Sequence, residues 1–337
     1  MTKRHSSKGY RRQNPKTSSR PPKRNSRTAT FTLMSATGEA ITTITANALQ
    51  SKEFPPLRYA VDGYLAEGVT LLAGKPKIGK SWMALDFAMA VATGDLALGS
   101  VRCRQGPVLY CALEDNHRRL KRRMSQLYGD IEHWPPGLQV RRLGDGLVDD
   151  VRDWIEVHRP KLVIIDTFAG VRPQSRREGY DADYAALSPL QEMAGQMGVA
   201  ILVIHHLRKM QGDDPFDMIS GTTGLTGAVD AAFVLHRGQQ GVTLYGRGRE
   251  IEEMEQAVEF VGGMWKVLGD ADEVRRSGER SAILEVLEGA DEPMGPKEIA
   301  DALGWKANNV KQLLFKMHKD GELKKHGRGR YCAADET

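Results

Sequence analysis

Eight consecutive residues carry the spacing of a phosphate-binding loop, and they are Gly74, Lys75, Pro76, Lys77, Ile78, Gly79, Lys80 and Ser81. In the pattern G-x-x-x-x-G-K-[ST], the glycines let the backbone curl until its N–H groups point at phosphate oxygens. The lysine reaches the β- and γ-phosphates, and the hydroxyl is a ligand for Mg²⁺. An apolar segment precedes the loop, and a helical pattern follows it and adds its positive N-terminal end. The pattern therefore predicts a site for ATP and Mg²⁺.

Hydrolysis of a bound nucleotide also needs acids, and three lie directly after apolar segments. Asp166 follows Leu162–Ile165, which is the usual position of an acid that contacts Mg²⁺ or its water. Glu114 and Asp115 follow a second apolar segment, where a carboxylate can activate the attacking water. We favour Glu114 because it comes first after the strand. The alternative for each acid is that it caps the next element.

Two histidines and two arginines are further candidates. His205 and His206 end an apolar strand, and adjacent strand residues point to opposite faces, so only one can face a phosphate. One of the two can sense the nucleotide; the alternative is one buried and one surface histidine. Arg247 and Arg249 share one face of an extended segment, and an arginine there can act as a finger that reaches a neighbouring subunit's γ-phosphate. The alternative is a solvated basic edge.

These residues must be positioned by an α/β fold. Short apolar segments at 69–73, 107–113, 162–165 and 199–204 alternate with helical patterns at 80–93, 116–128, 147–158 and 181–197. Such alternation predicts a mostly parallel sheet with helical crossovers. After residue 221, four further segments predict strands, some of them in hairpins.

The composition restricts the class of protein. The chain has 337 residues and a net charge of +5, but residues 1–30 carry ten Lys or Arg and no acid, which leaves 5 − 10 = −5 for the rest. We predict that this basic segment is disordered and able to contact DNA phosphates. No apolar run is long enough for a membrane helix, and the three cysteines form no C-x-x-C pair. We expect a cytoplasmic protein with no membrane partner.

The last sixty residues have a pattern of their own. Helices are predicted at 277–288, 296–303 and 306–319, followed by a basic hairpin at 323–331. This arrangement resembles a winged helix-turn-helix, in which the third helix enters the major groove and the hairpin touches phosphates. Whether such a module binds DNA or protein stays open at this point. The predicted organisation is a basic tail (1–30), an ATPase domain (31–268), a linker (269–276) and a winged-helix domain (277–333).

The core, from about residue 59 to residue 263, resembles the RepA-type replicative helicases of the RecA/DnaB superfamily. The resemblance rests on the phosphate loop and on Leu113–Asp115, Ile164–Thr167, Ile204–His206 and 220–230, in matching order. It implies a RecA-like P-loop core, ATP and Mg²⁺, Glu114 as the catalytic glutamate, His206 as a γ-phosphate sensor and Arg249 or Arg247 as a finger. It also implies a homo-hexamer that encircles single-stranded DNA and works with other replication proteins of a plasmid, phage or integrated element.

The DNA contacts we expect fall in two sets. Two loops that line the channel in the family supply Arg172, Arg176, Arg177, Arg208 and Lys209. The C-terminal module supplies Lys306, Asn308, Asn309, Lys311, Gln312, Lys324, Lys325, Arg328 and Arg330. The sequence thus favours an ATP-driven DNA motor; the alternative is a DNA-bound ATPase regulator, loader or recombinase-like protein that does not unwind.

Overall fold

The computed structural model describes residues 30–34, 40–129, 133–141, 147–170, 180–208, 212, 214–219, 223–238, 240–327 and 329–334. Its contacts divide the chain into two units, Met1–Pro56 and Leu57–Thr337. Residues 31–56, which the sequence placed in the ATPase domain, therefore group with the first unit. That unit contains the antiparallel strands β1 (Thr30–Met34) and β2 (Ala40–Ile44) and the helix α1 (Ala46–Gln50).

The second unit begins with strands and helices that alternate along the chain. Its strands as far as residue 206 are β3 (Tyr59–Val61), β4 (Leu65–Ala66), β5 (Gly68–Gly74), β6 (Leu96–Ala97), β7 (Val101–Arg102), β8 (Val108–Ala112), β9 (Leu138–Arg141), β10 (Leu162–Asp166) and β11 (Ala200–His206). Its helices over the same stretch are α2 (Lys80–Thr93), α3 (His117–Tyr128), α4 (Leu147–His158) and α5 (Tyr180–Met197). The predicted helices and strands of this stretch are confirmed to within a few residues.

The rest of the unit adds a run of strands and then a helical module. The short helix α6 (Thr223–Gly227) leads into β12 (Ala231–Gly238), β13 (Gly241–Gly248), β14 (Met254–Val261) and β15 (Met264–Asp270). The module contains α7 (Ala271–Glu288), α8 (Pro296–Leu303), α9 (Ala307–Lys319) and the antiparallel strands β16 (Leu323–His326) and β17 (Arg330–Ala333).

The largest sheet among the described residues has nine strands in the order β15-β14-β13-β12-β5-β11-β10-β8-β9. Parallel pairs join six neighbouring strands of the sheet, in the order β12, β5, β11, β10, β8 and β9. The other pairs, which join β12 to β13, β13 to β14 and β14 to β15, are antiparallel hairpins. The sheet is therefore mixed and mostly parallel, as the sequence predicted, and consistent with a RecA-like core. Parallel pairing places the carboxyl ends of β5, β8, β10 and β11 at one edge of the sheet.

Both faces of the sheet are buried, because strand residues alternate between two apolar clusters. Leu72 of β5 packs in the cluster that contains α2 and α3, with Met83 and Leu120. Its neighbours Leu71 and Ala73 pack in the cluster on the opposite face, which contains α4 and α5. A continuous apolar strand such as β5 is the expected sequence for a position covered on both sides.

The C-terminal module begins earlier than the sequence predicted. The side chain of Asp270 accepts hydrogen bonds from the backbone N–H of Asp272 and Glu273, each at 3.0 Å, and so starts α7 six residues before Ser277. Residues 269–276, predicted to be a linker, are thus the end of β15 and the first turns of α7. Asp272 also pairs with Arg275, three residues further along, and such a pair stabilises a helix at these positions.

The module has an apolar cluster of its own. Its most buried members come from all three helices and are Ile283, Ile299, Val310, Leu314 and Met317. The three predicted helices therefore pack around one common core. No helix in the described ranges is long and apolar enough to cross a membrane.

Candidate functional site

The phosphate loop joins β5 to α2 as the sequence predicted. Gly79 is the N-cap of α2 and has a φ of 113°, which favours glycine. The ammonium group of Lys80 donates hydrogen bonds to the carbonyl oxygens of Gly74, at 2.8 Å, and Lys75, at 3.1 Å. Burial lowers the pKa of Lys80 to about 8, although the nearby charges of Asp166 and Glu114 act in the opposite direction. The loop therefore holds a buried cation that donates to two backbone carbonyls and lies near two carboxylates.

Asp166 lies beside the loop at the carboxyl end of β10. Its carboxylate accepts a hydrogen bond from the hydroxyl of Tyr110 at 2.8 Å and another from Ser81. Burial raises the pKa of Asp166, and these two hydrogen bonds partly offset that effect. The structure thus brings together the two oxygen donors that the sequence assigned to Mg²⁺.

Glu114 lies next to this pair, after β8. Its carboxylate accepts a hydrogen bond from the hydroxyl of Thr167 at 2.8 Å and lies 3.9 Å from Nε2 of His206. The side chain is 57% exposed, so water can reach it. Asp115, in contrast, is buried in ion pairs with Arg119 and Arg123. The structure therefore leaves Glu114 available to a water molecule and commits Asp115 to the first turns of α3.

The two histidines occupy different environments, as alternation along β11 requires. His206 pairs in register with Gly74 at the start of the phosphate loop, and its Nε2 points towards Glu114. Its Nδ1 is buried and has no hydrogen-bond partner among the described residues. The ring of His205 packs edge-on against Phe168 at 5.3 Å. His206 is thus the histidine that reaches the loop and its neighbouring acid.

The donor set fits a nucleotide with Mg²⁺. Magnesium prefers oxygen ligands and usually combines one or two protein oxygens with water and substrate phosphates. The hydroxyl of Ser81 and the carboxylate of Asp166 supply such oxygens, and Lys80 supplies a buried ammonium for a phosphate. Within the described residues, no cluster of three or more His, Cys, Asp or Glu side chains offers a separate metal site.

Arg249 lies far from the phosphate loop of its own chain. Gly248 pairs with Ala231, which pairs with Thr70 near the start of β5, whereas the loop begins at Gly74. Strands rise about 3.3 Å per residue, so Arg249 is about 15 Å from the loop along the sheet. That separation exceeds the reach of an arginine side chain, so Arg249 cannot contact the phosphate loop of its own chain.

Both candidate fingers have partners within the chain. Arg247 forms ion pairs with Asp214 at 2.9 Å and with Glu253 at 2.7 Å. Arg249 lies 3.4 Å from Asp230 and remains 61% exposed. Arg249 is therefore held less firmly than Arg247, and its exposed guanidinium is the easier one to release.

The structure describes only part of the predicted DNA-contacting set. Arg172, Arg176, Arg177, Lys209 and Arg328 lie outside the described residues. Arg208 is exposed two residues beyond the end of β11, and its backbone N–H donates to the carbonyl of Met218 at 2.7 Å. The channel loops therefore stay a sequence-based prediction.

The C-terminal residues of the set are mostly exposed. Lys306 is the N-cap of α9, and four further members lie on the exposed surface of that helix, namely Asn308, Asn309, Lys311 and Gln312. On the hairpin, Lys324 and Lys325 belong to β16. Arg330 differs, because it donates to the carbonyl of Pro293 at 2.5 Å and pairs with Glu298 at 3.1 Å. Arg330 therefore fastens the hairpin to α8, and its charge is partly neutralised there.

Three residues of the site were not singled out from the sequence. Tyr110 contacts Asp166, Thr167 contacts Glu114, and Trp265 donates from its indole N–H to the carbonyl of Gly79 at 3.0 Å. A lone hydroxyl in an apolar strand is a recognisable signal for Tyr110, and adjacency to Asp166 is one for Thr167. Trp265 is 186 residues away from the glycine that it contacts, and no local pattern indicates it.

Comparison with known proteins gives a family and distant structural likenesses. A family model described as an AAA domain matches residues 36–212. A KaiC-like protein of the hyperthermophilic archaeon Pyrococcus horikoshii OT3 is 17% identical in sequence, and the match covers 63% of this chain and 99% of that one with a TM-score of 0.47. The search of curated proteins gives no match.

Proposed function

The chain belongs to the AAA domain family, whose members are typically nucleotide-hydrolysing, and on this premise we propose that it is an ATP-driven DNA motor. The specific proposal is a hexameric replicative helicase of a plasmid, phage or integrated element. One observation carries the ATPase part: Lys80, Ser81, Asp166 and Glu114 converge at the carboxyl edge of the sheet, where ligands of α/β proteins bind.

Each side chain of the site has a distinct task in this proposal. Lys80 binds the phosphates, and Ser81 and Asp166 hold Mg²⁺, which when bound neutralises phosphate charge. Glu114 is exposed and orients a water molecule, whose proton it accepts. Thr167 fixes the carboxylate of Glu114 by its hydrogen bond. His206 joins the start of the loop to Glu114 and would respond to a γ-phosphate.

The DNA part rests on the C-terminal module and the basic tail. Three helices followed by a hairpin, in the order α7, α8, α9, β16 and β17, support a winged-helix assignment. The exposed polar residues on α9 and the lysines of the hairpin are suited to phosphate contacts. The ten basic residues of the segment 1–30 would add electrostatic attraction that weakens with salt.

The proposal of a hexameric ring depends on Arg249. Its position on the sheet excludes it from its own site, and its exposed guanidinium is suited to the site of a neighbour. A finger acting between subunits requires an assembly in which the far edge of one sheet faces the phosphate loop of the next.

A second candidate function is a DNA-bound ATPase regulator, loader or recombinase-like protein without unwinding activity. The observation that favours it is that Arg247 and Arg249 both have acidic partners within the chain. A protein with both arginines engaged internally needs no ring to satisfy their charges.

Two measurements decide between these functions. The helicase predicts ATP- and Mg²⁺-dependent strand displacement on a forked duplex, and an assembly of about six subunits in mass measurements with ATP and single-stranded DNA. ATP hydrolysis without displacement or translocation would reject the motor and favour the regulator. Absence of ATP binding would reject both.

A further inference from the structure

A basic groove lies between α7 and α9, on the P-loop side of the module. Its volume is about 670 Å³. One wall, from α7, carries Arg275 and Arg276 together with the acid Glu279. Lys306 and Lys316 of α9 form the other wall, and the half-buried Trp305 lies between the two. Cations on both walls and an aromatic ring within reach are the usual composition of a surface that binds single-stranded nucleic acid.

The charge of the groove is only partly neutralised by the protein. Asp272 pairs with Arg275 at 2.8 Å and lies 3.7 Å from Arg276. Lys306 and Lys316, in contrast, form no ion pair with any residue in the described ranges. Two exposed ammonium groups on one wall therefore remain available to an anionic partner.

The groove continues onto the ATPase sheet. Gln240, in the turn between β12 and β13, also lines it. That turn extends past Leu235, which pairs in register with Gly74. The groove therefore opens at the edge of the sheet that carries the phosphate loop, and a bound strand would touch both the ATPase sheet and the C-terminal module.

We propose that this groove binds the sugar–phosphate backbone of single-stranded DNA, with a base against Trp305. A duplex is recognised by a helix that protrudes into a major groove about 12 Å wide. Here the face of α9 that carries Lys306, Asn309 and Lys316 is instead a wall of a concave groove. A flexible single strand can enter such a groove, whereas a duplex cannot follow it. The inference rests on the proposed function, because it assumes that DNA is the partner.

The test compares two charge-matched double variants of the full chain without nucleotide. Lys306→Ala/Lys316→Ala removes the two free cations of the groove, and Lys297→Ala/Lys319→Ala removes two exposed lysines of the same module outside it. Binding of fluorescein-labelled oligo(dT) is followed by anisotropy from low to high salt. We expect the groove variant to lose roughly tenfold in affinity at low salt and about 1.4 in the salt slope, at about 0.7 per lost contact. The control variant should behave as the wild type.

Tryptophan fluorescence supplies a second readout. A base stacked on Trp305 should quench part of the emission, and Trp305→Phe should bind oligo(dT) nearly as well but lose that quenching. Equal oligo(dT) binding by the two double variants would reject the groove as a DNA-binding site and would leave the proposed ATP-driven DNA motor unaffected. A loss confined to duplex DNA would also overturn it. Failure of the wild type to bind any DNA would instead reject the DNA part of the proposed function.

Discussion

The indole N–H of Trp265 donates a hydrogen bond to the carbonyl oxygen of Gly79, with 3.0 Å between the two atoms. Trp265 lies on β15 and is 1% exposed. Its ring is so close that a Cβ atom on Gly79 would come within 2.8 Å of it. The last strand of the sheet thus fixes the last turn of the phosphate loop before α2.

This contact predicts a specific defect in Trp265→Phe. The variant keeps an aromatic ring in the core but loses one hydrogen bond of about 1 kcal/mol. We expect the KM for ATP to rise about fivefold while kcat changes little, because the loop is held less firmly in its binding conformation. Steady-state ATPase kinetics and the midpoint of thermal unfolding are the measurements. A large fall in the unfolding midpoint with unchanged KM would assign Trp265 to the core alone.

Glu114→Gln should separate binding from hydrolysis. The amide keeps the size of the side chain but is a poor proton acceptor, so kcat should fall by about 10²–10⁴ while ATP still binds. Thr167→Val should lower kcat by a smaller factor. Thr167→Ser should keep kcat near the wild-type value, because serine retains the hydroxyl that orients Glu114. Asp115→Asn is the matched control, since its partners are Arg119 and Arg123. If Asp115→Asn lost hydrolysis and Glu114→Gln kept it, the two roles would be reversed.

Arg249→Ala should bind ATP and hydrolyse it slowly. Removal of a transition-state arginine commonly costs about 10³–10⁵ in rate. Because Arg249 is too far from its own site, mixing Arg249→Ala with Glu114→Gln subunits should restore part of the activity. At a mixed interface, an intact arginine then meets an intact glutamate. Full activity of Arg249→Ala alone would remove the finger from the mechanism, and Arg247→Ala would be tested next.

The buried acid Asp86 predicts a dependence of stability on pH. Its carboxylate accepts from the backbone N–H of Leu98 at 2.8 Å, and burial raises its pKa to about 6. A raised pKa means that the folded chain holds the proton more tightly than the unfolded chain. The free energy of unfolding therefore falls as pH rises from about 4 through about 6, by at most about 3 kcal/mol.

Asp86→Asn should remove the loss of unfolding free energy that ionisation of the buried carboxyl causes. The variant should be more stable than the wild type at pH 8 and similar to it below pH 4, as measured by urea unfolding at both values. Asp95→Asn, an exposed neighbour, is the control for a general charge effect. A variant that is less stable at pH 8 would show that the ionised carboxylate of Asp86 stabilises the fold.

The sequence predicted those features that depend on local pattern. The phosphate loop, Asp166 after its apolar strand and the alternation of strands and helices are all set within a few residues, so spacing alone reveals them. The start of α7 was misjudged because a run of charged residues suits both a linker and a capped helix. The contacts of Trp265 and Arg330 join distant segments, and only the folded chain brings those segments together.

The continuity of β15 with α7 has a mechanical consequence. A module on a flexible linker has no fixed orientation relative to the domain that precedes it. Here the helix starts at the residue after the strand and has 18 residues, so it is a rod about 27 Å long at 1.5 Å per residue. A tilt of about 10° at the strand would move the far end of such a rod by about 5 Å. Because Trp265 on the same strand contacts Gly79, a displacement of the phosphate loop that tilted β15 would be amplified at the far end of α7.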